Sequence, residues 1–199
     1  MKTILVYGDS NTWGQNESSE RYPYQVRWVN QLTAKLGSEY CVIPAGLSGR
    51  VAGSHEVVEP QKRGKDSFEV VYKQAFPLDV LIVALGSNDI KEKYDLTSEQ
   101  ITADLLWYAE SLQEATDYTG QPVRPLVLFV APPNFVYSQN GFTGDEQKRQ
   151  AVISGLTEAG QEVVVANSIG LSEDGVHFSP KGHDQMAMKV YEKLKEMGV

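Results

Sequence analysis

The chain has 199 residues, of which 41% are hydrophobic and 22% are charged, and this composition excludes a disordered or low-complexity protein. Its 18 Lys and Arg against 26 Asp and Glu leave a formal net charge of −8, which argues against binding to nucleic acid or to an anionic membrane. The single cysteine, Cys41, cannot form an internal disulfide or a thiolate zinc site, and three histidines leave little room for a metal cluster.

The sequence carries no signal for secretion or membrane insertion. Residues 1–7 hold too short an apolar run for a signal peptide, and no stretch reaches the about 20 apolar residues that a membrane-spanning helix needs. No internal repeat or linker-like segment divides the sequence, and the length suits one domain. We therefore expect a single domain over residues 1–199, located in the cytoplasm.

Short apolar runs alternate with longer amphipathic segments along the chain, and each pattern predicts an element. In chain order these are a strand at 4–7, a helix at 24–36, a strand at 40–43, a helix at 67–76 with Ser67 as N-cap, a strand at 80–85, a helix that starts at a capping box of Thr97 and Gln100, a strand at 126–130, a helix at 147–159, a weaker strand at 162–165, and a last helix that starts at Ser179-Pro180.

This alternation predicts an α/β fold in which a parallel sheet lies between two layers of helices. Five strands suit the flavodoxin-like strand order 2-1-3-4-5 in a three-layer α/β/α domain. In such sheets the reacting site lies outside the carboxyl ends of the strands. The residues that follow each predicted strand are therefore the candidates for a functional site.

Small, polar and reactive residues follow all five predicted strands. They lie at residues 8–14 (GDSNTWG), 45–50 (AGLSGR), 86–89 (GSND), 131–134 (APPN) and 174–180 (DGVHFSP). These segments are far apart in the sequence, yet a parallel sheet brings them to one edge. We expect them to form one site.

Three of these residues match the needs of nucleophilic catalysis. A serine hydroxyl attacks a carbonyl only when a neighbouring base takes its proton and a third group orients that base. Ser10 lies where a strand turns into a loop, His177 is the candidate base, and Asp174 is three residues away in the same short turn. A contact from Asp174 to the other imidazole N–H would select the tautomer of His177 and stabilise its imidazolium.

Attack on a carbonyl also creates an oxyanion, which needs hydrogen-bond donors that are already in place. Gly49 offers an unobstructed backbone N–H, Asn88 offers a side-chain amide, and Ser10 offers its own backbone N–H. The loss of one such donor typically raises the barrier by about 3–4 kcal/mol. The three donors complete a candidate oxyanion hole.

With these residues the sequence resembles the SGNH hydrolases, also called the GDSL esterase/lipase family. The resemblance rests on GDS at 8–10, Gly49, GSND at 86–89 and DGVH at 174–177, in the family's order and over nearly the whole chain. Trp13, Arg27-Trp28, the GLSGR segment and the Pro132-Pro133 pair are similar to its small aryl-esterase and acyltransferase branch.

The resemblance implies roles residue by residue. Ser10 matches the nucleophile, Asp174 and His177 match the other triad members, and Ser10, Gly49 and Asn88 match the oxyanion donors. Gly49 matches the second donor better than Gly46 because it closes the Leu-Ser-Gly turn. One departure is Pro44, where many members carry Asn, and we expect local structural consequences there without loss of catalysis.

Four further residues are candidates for the substrate pocket. Trp13 and Phe178 each neighbour a proposed catalytic residue, and Pro133 and Phe135 follow the fourth strand. Simple surface packing is an equal alternative for Phe135 and for Tyr137. Trp28 and Trp107 fall on predicted helices and are expected to pack in the core.

Structural readings compete with the functional ones. Ser10 could be a helix N-cap and Asn88 a turn cap, but their partners at other strand ends favour the catalytic interpretation. Asp9 is read as a turn-stabilising acceptor, His183 as a surface or structural residue, and Cys41 as an inert core thiol, while His55 receives no role. No P-loop or dinucleotide fingerprint follows a strand.

These observations predict a serine hydrolase that cleaves short-acyl carboxylic esters through an acyl-enzyme, without a metal or organic cofactor. The substrate classes left open are acetylated sugars, aryl esters and thioesters. Acyl transfer to alcohols is one alternative, and a flavodoxin-like binding module without turnover is another. The expected partner is a small-molecule ester, and assembly into a homo-oligomer is also left open.

Overall fold

Five parallel strands form one sheet in the computed structural model, which describes residues 1–113, 116, 120, 122, 124–134 and 145–199. The strands lie in the order β2-β1-β3-β4-β5. They are β1 (Lys2–Gly8), β2 (Tyr40–Gly46), β3 (Val80–Ala84), β4 (Leu126–Val130) and β5 (Glu162–Val164). The predicted α/β architecture and strand order are confirmed.

Six α-helices lie between and after the strands within the described residues. They are α1 (Ser10–Trp13), α2 (Trp28–Leu36), α3 (Gly64–Gln74), α4 (Ser98–Ser111), α5 (Glu146–Glu158) and α6 (Pro180–Glu196), with short 3₁₀ turns at Pro60–Lys62 and Glu92–Tyr94. The Thr97 and Gln100 capping box and the Ser179 N-cap are present as predicted. None of the described helices is long and apolar enough to cross a membrane.

Alternate residues of the strands supply two separate cores, one on each face of the sheet. Leu5 and Tyr7 of β1 pack with helices α3, α4 and α5, whereas Ile4 and Val6 pack with α2 and α6. Trp28 lies fully buried in the second core, as expected from its place on a helix. Full burial of one such apolar side chain stabilises the fold by about 1.5–3 kcal/mol, so the two cores hold both helix layers on the sheet.

Helices α2 and α3 begin several residues from their predicted starts, whereas α5 begins one residue early, at Glu146. Helix α2 begins at Trp28 instead of residue 24, because residues 23–26 form a turn and Arg27 is extended. Helix α3 begins at Gly64 instead of residue 67, because the Gly64 N–H donates to the carbonyls of Val51 and Gly53. In both cases groups outside the helix decide where the helix starts.

The second strand runs further than predicted, through Pro44 to Gly46. Proline lacks a backbone N–H, and β2 is an edge strand where one missing donor is tolerated. Cys41 is half-buried on this strand and belongs to neither core, so its prediction as a core thiol was wrong. Since Gly8 pairs with both Gly46 and Ala84, the carboxyl ends of β1, β2 and β3 lie side by side.

Candidate active site

Ser10 begins the one-turn helix α1 directly after β1. The Asp9 carboxylate caps this helix by accepting a hydrogen bond from the Asn11 N–H at 2.9 Å, and Gly14 ends it with a left-handed backbone at φ 89°. The role of Asp9 as a turn acceptor agrees with the sequence analysis. Ser10 is only 7% exposed, so little of this residue is accessible to solvent.

His177 and Asp174 lie beside Ser10 although they come from the other end of the chain. The His177 Nε2 atom is 3.1 Å from Ser10 Oγ, across 167 residues of sequence. The other ring nitrogen, Nδ1, is 2.5 Å from Asp174 Oδ2. This arrangement lets Nδ1 carry the proton and donate to the carboxylate, which leaves Nε2 free to accept from the serine.

The Asp174 carboxylate is held in its ionised form by the turn around it. Its Oδ1 atom accepts the backbone N–H groups of Val176 and His177, each at 2.9 Å. Burial opposes ionisation, but these backbone bonds and the His177 ring hold the pKa of Asp174 below its ordinary value. A carboxylate that is charged at neutral pH can orient the imidazole and stabilise its protonated form.

The three predicted oxyanion donors lie at the ends of β1, β2 and β3. Asn88 is 4% exposed, and one of its two amide hydrogens donates to the Arg50 carbonyl at 2.9 Å. Gly49 precedes Arg50 and has a left-handed backbone at φ 78°, which glycine adopts without strain. Among the described residues, the backbone N–H groups of Ser10 and Gly49 meet no protein acceptor.

Arg50 joins the same three strand ends, a role that the sequence analysis did not assign. Its buried guanidinium donates from Nη1 to the carbonyls of Gly8 and Ala45, at 3.0 and 2.5 Å. The group also lies 4.1 Å from the centre of the Tyr7 ring. A charged residue beside a glycine turn is an ambiguous signal in sequence, since most arginines lie on the surface.

Two buried carboxylates support the loops that follow β1 and β3. Burial raises the pKa of Asp9, against hydrogen bonds from Asn11 and the Ser87 hydroxyl. Burial also raises the pKa of Asp89 to about 7, although its Oδ1 accepts the Ala52 N–H at 2.8 Å. The other oxygen of Asp89 has no partner among the described residues. These contacts tie the Asn88 loop to the segment that follows Gly49.

The predicted pocket residues that the structure describes have different surroundings. Trp13 is half-buried, with the Arg21 guanidinium 5.2 Å from its ring centre. Phe178 and Pro133 line a cavity of about 20 Å³ whose walls also include residues next to Ser10. Phe178 itself is buried and packs on the His183 ring at 5.5 Å. Phe135 and Tyr137 lie outside the described residues.

The remaining two histidines have structural partners. His183 is fully buried and its Nδ1 accepts the Trp28 N–H at 3.3 Å, which fits the structural reading. His55, which received no role, lies 2.5 Å from the Asp104 carboxylate and so connects the loop before α3 to helix α4. A search of the described residues finds no group of three His, Cys, Asp or Glu that could hold a metal ion.

Comparison with known proteins gives one family and several solved structures. The model of the GDSL-like lipase/acylhydrolase family matches residues 6–185. A carbohydrate acetylesterase from Sinorhizobium meliloti is 25% identical, with a TM-score of 0.87 over 99% of this chain and 100% of that one. An aryl esterase from M. smegmatis is 27% identical, with a TM-score of 0.88 over 98% of this chain and 99% of that one. A search of the curated proteins finds no match.

Proposed function

Since this chain belongs to the GDSL-like lipase/acylhydrolase family and is a carboxylic ester hydrolase, we propose that it cleaves short-acyl esters through an acyl-enzyme on Ser10. In this proposal His177 is the general base and acid, and Asp174 orients it. Ser10, Gly49 and Asn88 provide the oxyanion donors. The reaction as proposed uses only side chains and backbone groups of the protein.

One observation carries the proposal. His177 Nε2 lies within hydrogen-bond distance of Ser10 Oγ, at 3.1 Å, while its Nδ1 contacts a carboxylate. A general base must lie about 2.6–3.2 Å from the proton-bearing atom. A serine, imidazole and carboxylate in this sequence of contacts match the requirements of serine nucleophilic catalysis.

The first half of the reaction forms the acyl-enzyme. His177 Nε2 takes the Ser10 proton as Oγ bonds to the ester carbonyl carbon, and the carbonyl oxygen becomes an oxyanion. The N–H groups of Ser10 and Gly49 and the free amide hydrogen of Asn88 are the donors available to that oxygen. When the tetrahedral intermediate collapses, the bond to the alkoxy oxygen breaks and His177 returns the proton to the departing alcohol.

The second half releases the acid. His177 takes a proton from water, the water oxygen attacks the acyl carbonyl, and a second tetrahedral intermediate forms at the same donors. Its collapse breaks the bond to Ser10 Oγ, which regains a proton from His177. The products are one alcohol and one carboxylic acid, and the enzyme returns to its starting state. General acid–base catalysis of this kind typically contributes about 10²–10⁴-fold in rate.

The test uses p-nitrophenyl acetate and two variants, Ser10→Ala and His177→Ala. We expect the wild-type protein to release a burst of p-nitrophenol. In quenched samples, Ser10 should carry an acetyl group, which mass spectrometry detects as a gain of about 42 Da from covalent catalysis. Each variant should lose at least about 10³-fold in kcat, because the triad acts as a unit. Equal rates for Ser10→Ala and wild type would contradict the proposed nucleophile.

The relatives favour small acyl groups on an aryl or carbohydrate alcohol. The similar structures are an aryl esterase and a carbohydrate acetylesterase. We expect kcat/KM to be highest for acetyl esters and to fall along a series from acetyl to octanoyl, and acetylated sugars in the same panel separate the two alcohol classes.

A further inference from the structure

Asn11 is a buried polar residue next to Ser10 that the proposed reaction does not use. Its side chain is 6% exposed, and its amide faces the loop that carries His177. The Oδ1 atom accepts the Phe178 N–H at 2.9 Å, and Nδ2 donates to the Val176 carbonyl at 3.4 Å. One amide therefore bonds to the residue before His177 and to the residue after it.

The backbone of Asn11 is held on the side of Ser10. The Asn11 backbone N–H donates to the Asp9 carboxylate that caps helix α1. Ser10 and Asn11 are consecutive residues of that one-turn helix. The Asn11 amide therefore extends from the same helix that carries Ser10, the proposed nucleophile.

The His177 loop is also braced internally. Asp174 accepts the N–H groups of Val176 and His177, and the Ser172 N–H donates to the His177 carbonyl at 2.7 Å. These bonds set the shape of the loop but not its distance from Ser10. The two bonds to Asn11 span the gap between the loop and helix α1.

We propose that Asn11 is a positioning residue that sets the separation of Ser10 Oγ and His177 Nε2. This inference rests on the proposed function. The observed separation of 3.1 Å lies near the upper end of the range for proton transfer. A misplacement of a catalytic group by about 1 Å can cost about 10²-fold in rate. Loss of the two Asn11 bonds should therefore lower kcat, because it displaces His177 from Ser10.

The experiment is a double-mutant cycle of Asn11→Ala and His177→Ala, with kcat and KM for p-nitrophenyl acetate. We expect Asn11→Ala alone to lower kcat by about 10–100-fold with little change in KM, because misplacement affects proton transfer more than binding. In the His177→Ala background the same change should lower kcat less than about two-fold, because the base that Asn11 positions is gone.

Two further variants separate positioning from a loss of folding. Asn11→Asp keeps the side-chain volume and the acceptor for the Phe178 N–H, but places an oxygen against the Val176 carbonyl, so it should reproduce the loss of kcat. If Asn11→Ala does not fold, Asn11→Asp takes its place in the cycle. Asn30→Ala is the matched control, because Asn30 of helix α2 is 7% exposed and donates to the Tyr24 carbonyl in the turn before that helix. This variant should lower the Tm but leave kcat unchanged.

The outcomes distinguish this inference from the proposed function. If His177→Ala and Ser10→Ala keep wild-type rates, the proposed function fails. If both lose activity while Asn11→Ala and Asn11→Asp stay within two-fold of wild-type kcat, only the role of Asn11 is overturned. If Asn11→Ala lowers kcat by the same factor with and without His177, the role of Asn11 is also overturned. That result would mean that Asn11 affects the structure independently of the position of His177.

Discussion

The Asp174 carboxylate contacts the His177 imidazole, and in the proposed reaction its negative charge orients that ring and stabilises its protonated form. Two backbone N–H groups point at one carboxylate oxygen, and the ring nitrogen contacts the other. These contacts are local, because Asp174 and His177 lie in one four-residue turn. The sequence therefore predicts the pair, whereas the contact of His177 with Ser10 depends on the whole fold.

Asp174→Asn tests this charge with little change in shape. The amide can still accept the backbone N–H groups, but it carries no charge to stabilise the imidazolium and favours the wrong ring tautomer. We expect kcat to fall by about 10³–10⁴-fold. The measurement is kcat and KM for p-nitrophenyl acetate, with the Tm as control for folding. A loss smaller than ten-fold at unchanged Tm would show that the charge is not required.

At the scale of the element, helix α2 has an N-terminus that another helix completes. Arg27 provides no side-chain cap, and the first helical N–H, that of Trp28, donates instead to His183 of α6. Burial in the core lowers the pKa of His183 to about 4, so the ring stays neutral and can accept this bond. A helix start that depends on a residue 155 positions away leaves no local signal.

Because His183 is buried, we expect the free energy of unfolding to decrease as the pH falls. Its pKa in the folded state is about 4, below the ordinary value of 6.5, so the unfolded chain binds the proton more tightly. Stability contributed by the neutral ring is therefore present above pH 6.5 and is lost as the pH falls toward 4, at up to about 1.4 kcal/mol per pH unit.

Urea unfolding of wild type and His183→Gln between pH 4.5 and 7.5 measures this contribution. Glutamine keeps a polar side chain but does not titrate, so the variant should show a flatter dependence of the free energy of unfolding on pH. Parallel curves for the two proteins would show that His183 does not cause the acid sensitivity.

Across the whole molecule, the parallel sheet brings carboxylates together in the interior, where they lose hydration and repel one another. The loop after β3 places the Asp89 carboxylate in the interior, where burial and the nearby Asp104 charge raise its pKa. This carboxylate still holds the Ala52 N–H and so keeps the Asn88 loop against the segment after Gly49. Ionisation of the buried Asp89 carboxylate is therefore unfavourable, although the same carboxylate connects the loops that follow two strands.

Asp89→Asn is expected to stabilise the protein in mild alkali. Because the folded pKa of about 7 lies above the ordinary value of 3.8, the folded state binds the proton more tightly, and stability falls as the pH rises from about 4 through 7. Asparagine can accept the Ala52 N–H without ionising. The variant should have a higher Tm than wild type at pH 8 and a smaller advantage at pH 5. A lower Tm at pH 8 would contradict this assignment.

Features that arise from local patterns could be predicted from the amino-acid sequence. The five apolar runs between amphipathic segments predict the sheet and its order, and the residues after each run predict which loops meet, because parallel strands share one carboxyl edge. The Asp174 and His177 pair and the Thr97 capping box were also readable, since their partners lie three residues apart. The catalytic assignment made from these loops stays a prediction that the Ser10 and His177 variants test.

Features whose partners are distant in sequence could not be predicted and are visible in the folded protein alone. The starts of α2 and α3 depend on His183 and on the carbonyls of Val51 and Gly53, and the amide of Asn11 reaches a loop 165 residues away. A buried hydrogen bond leaves no periodicity in the chain, because it depends on where two backbones meet and not on the residues beside either one.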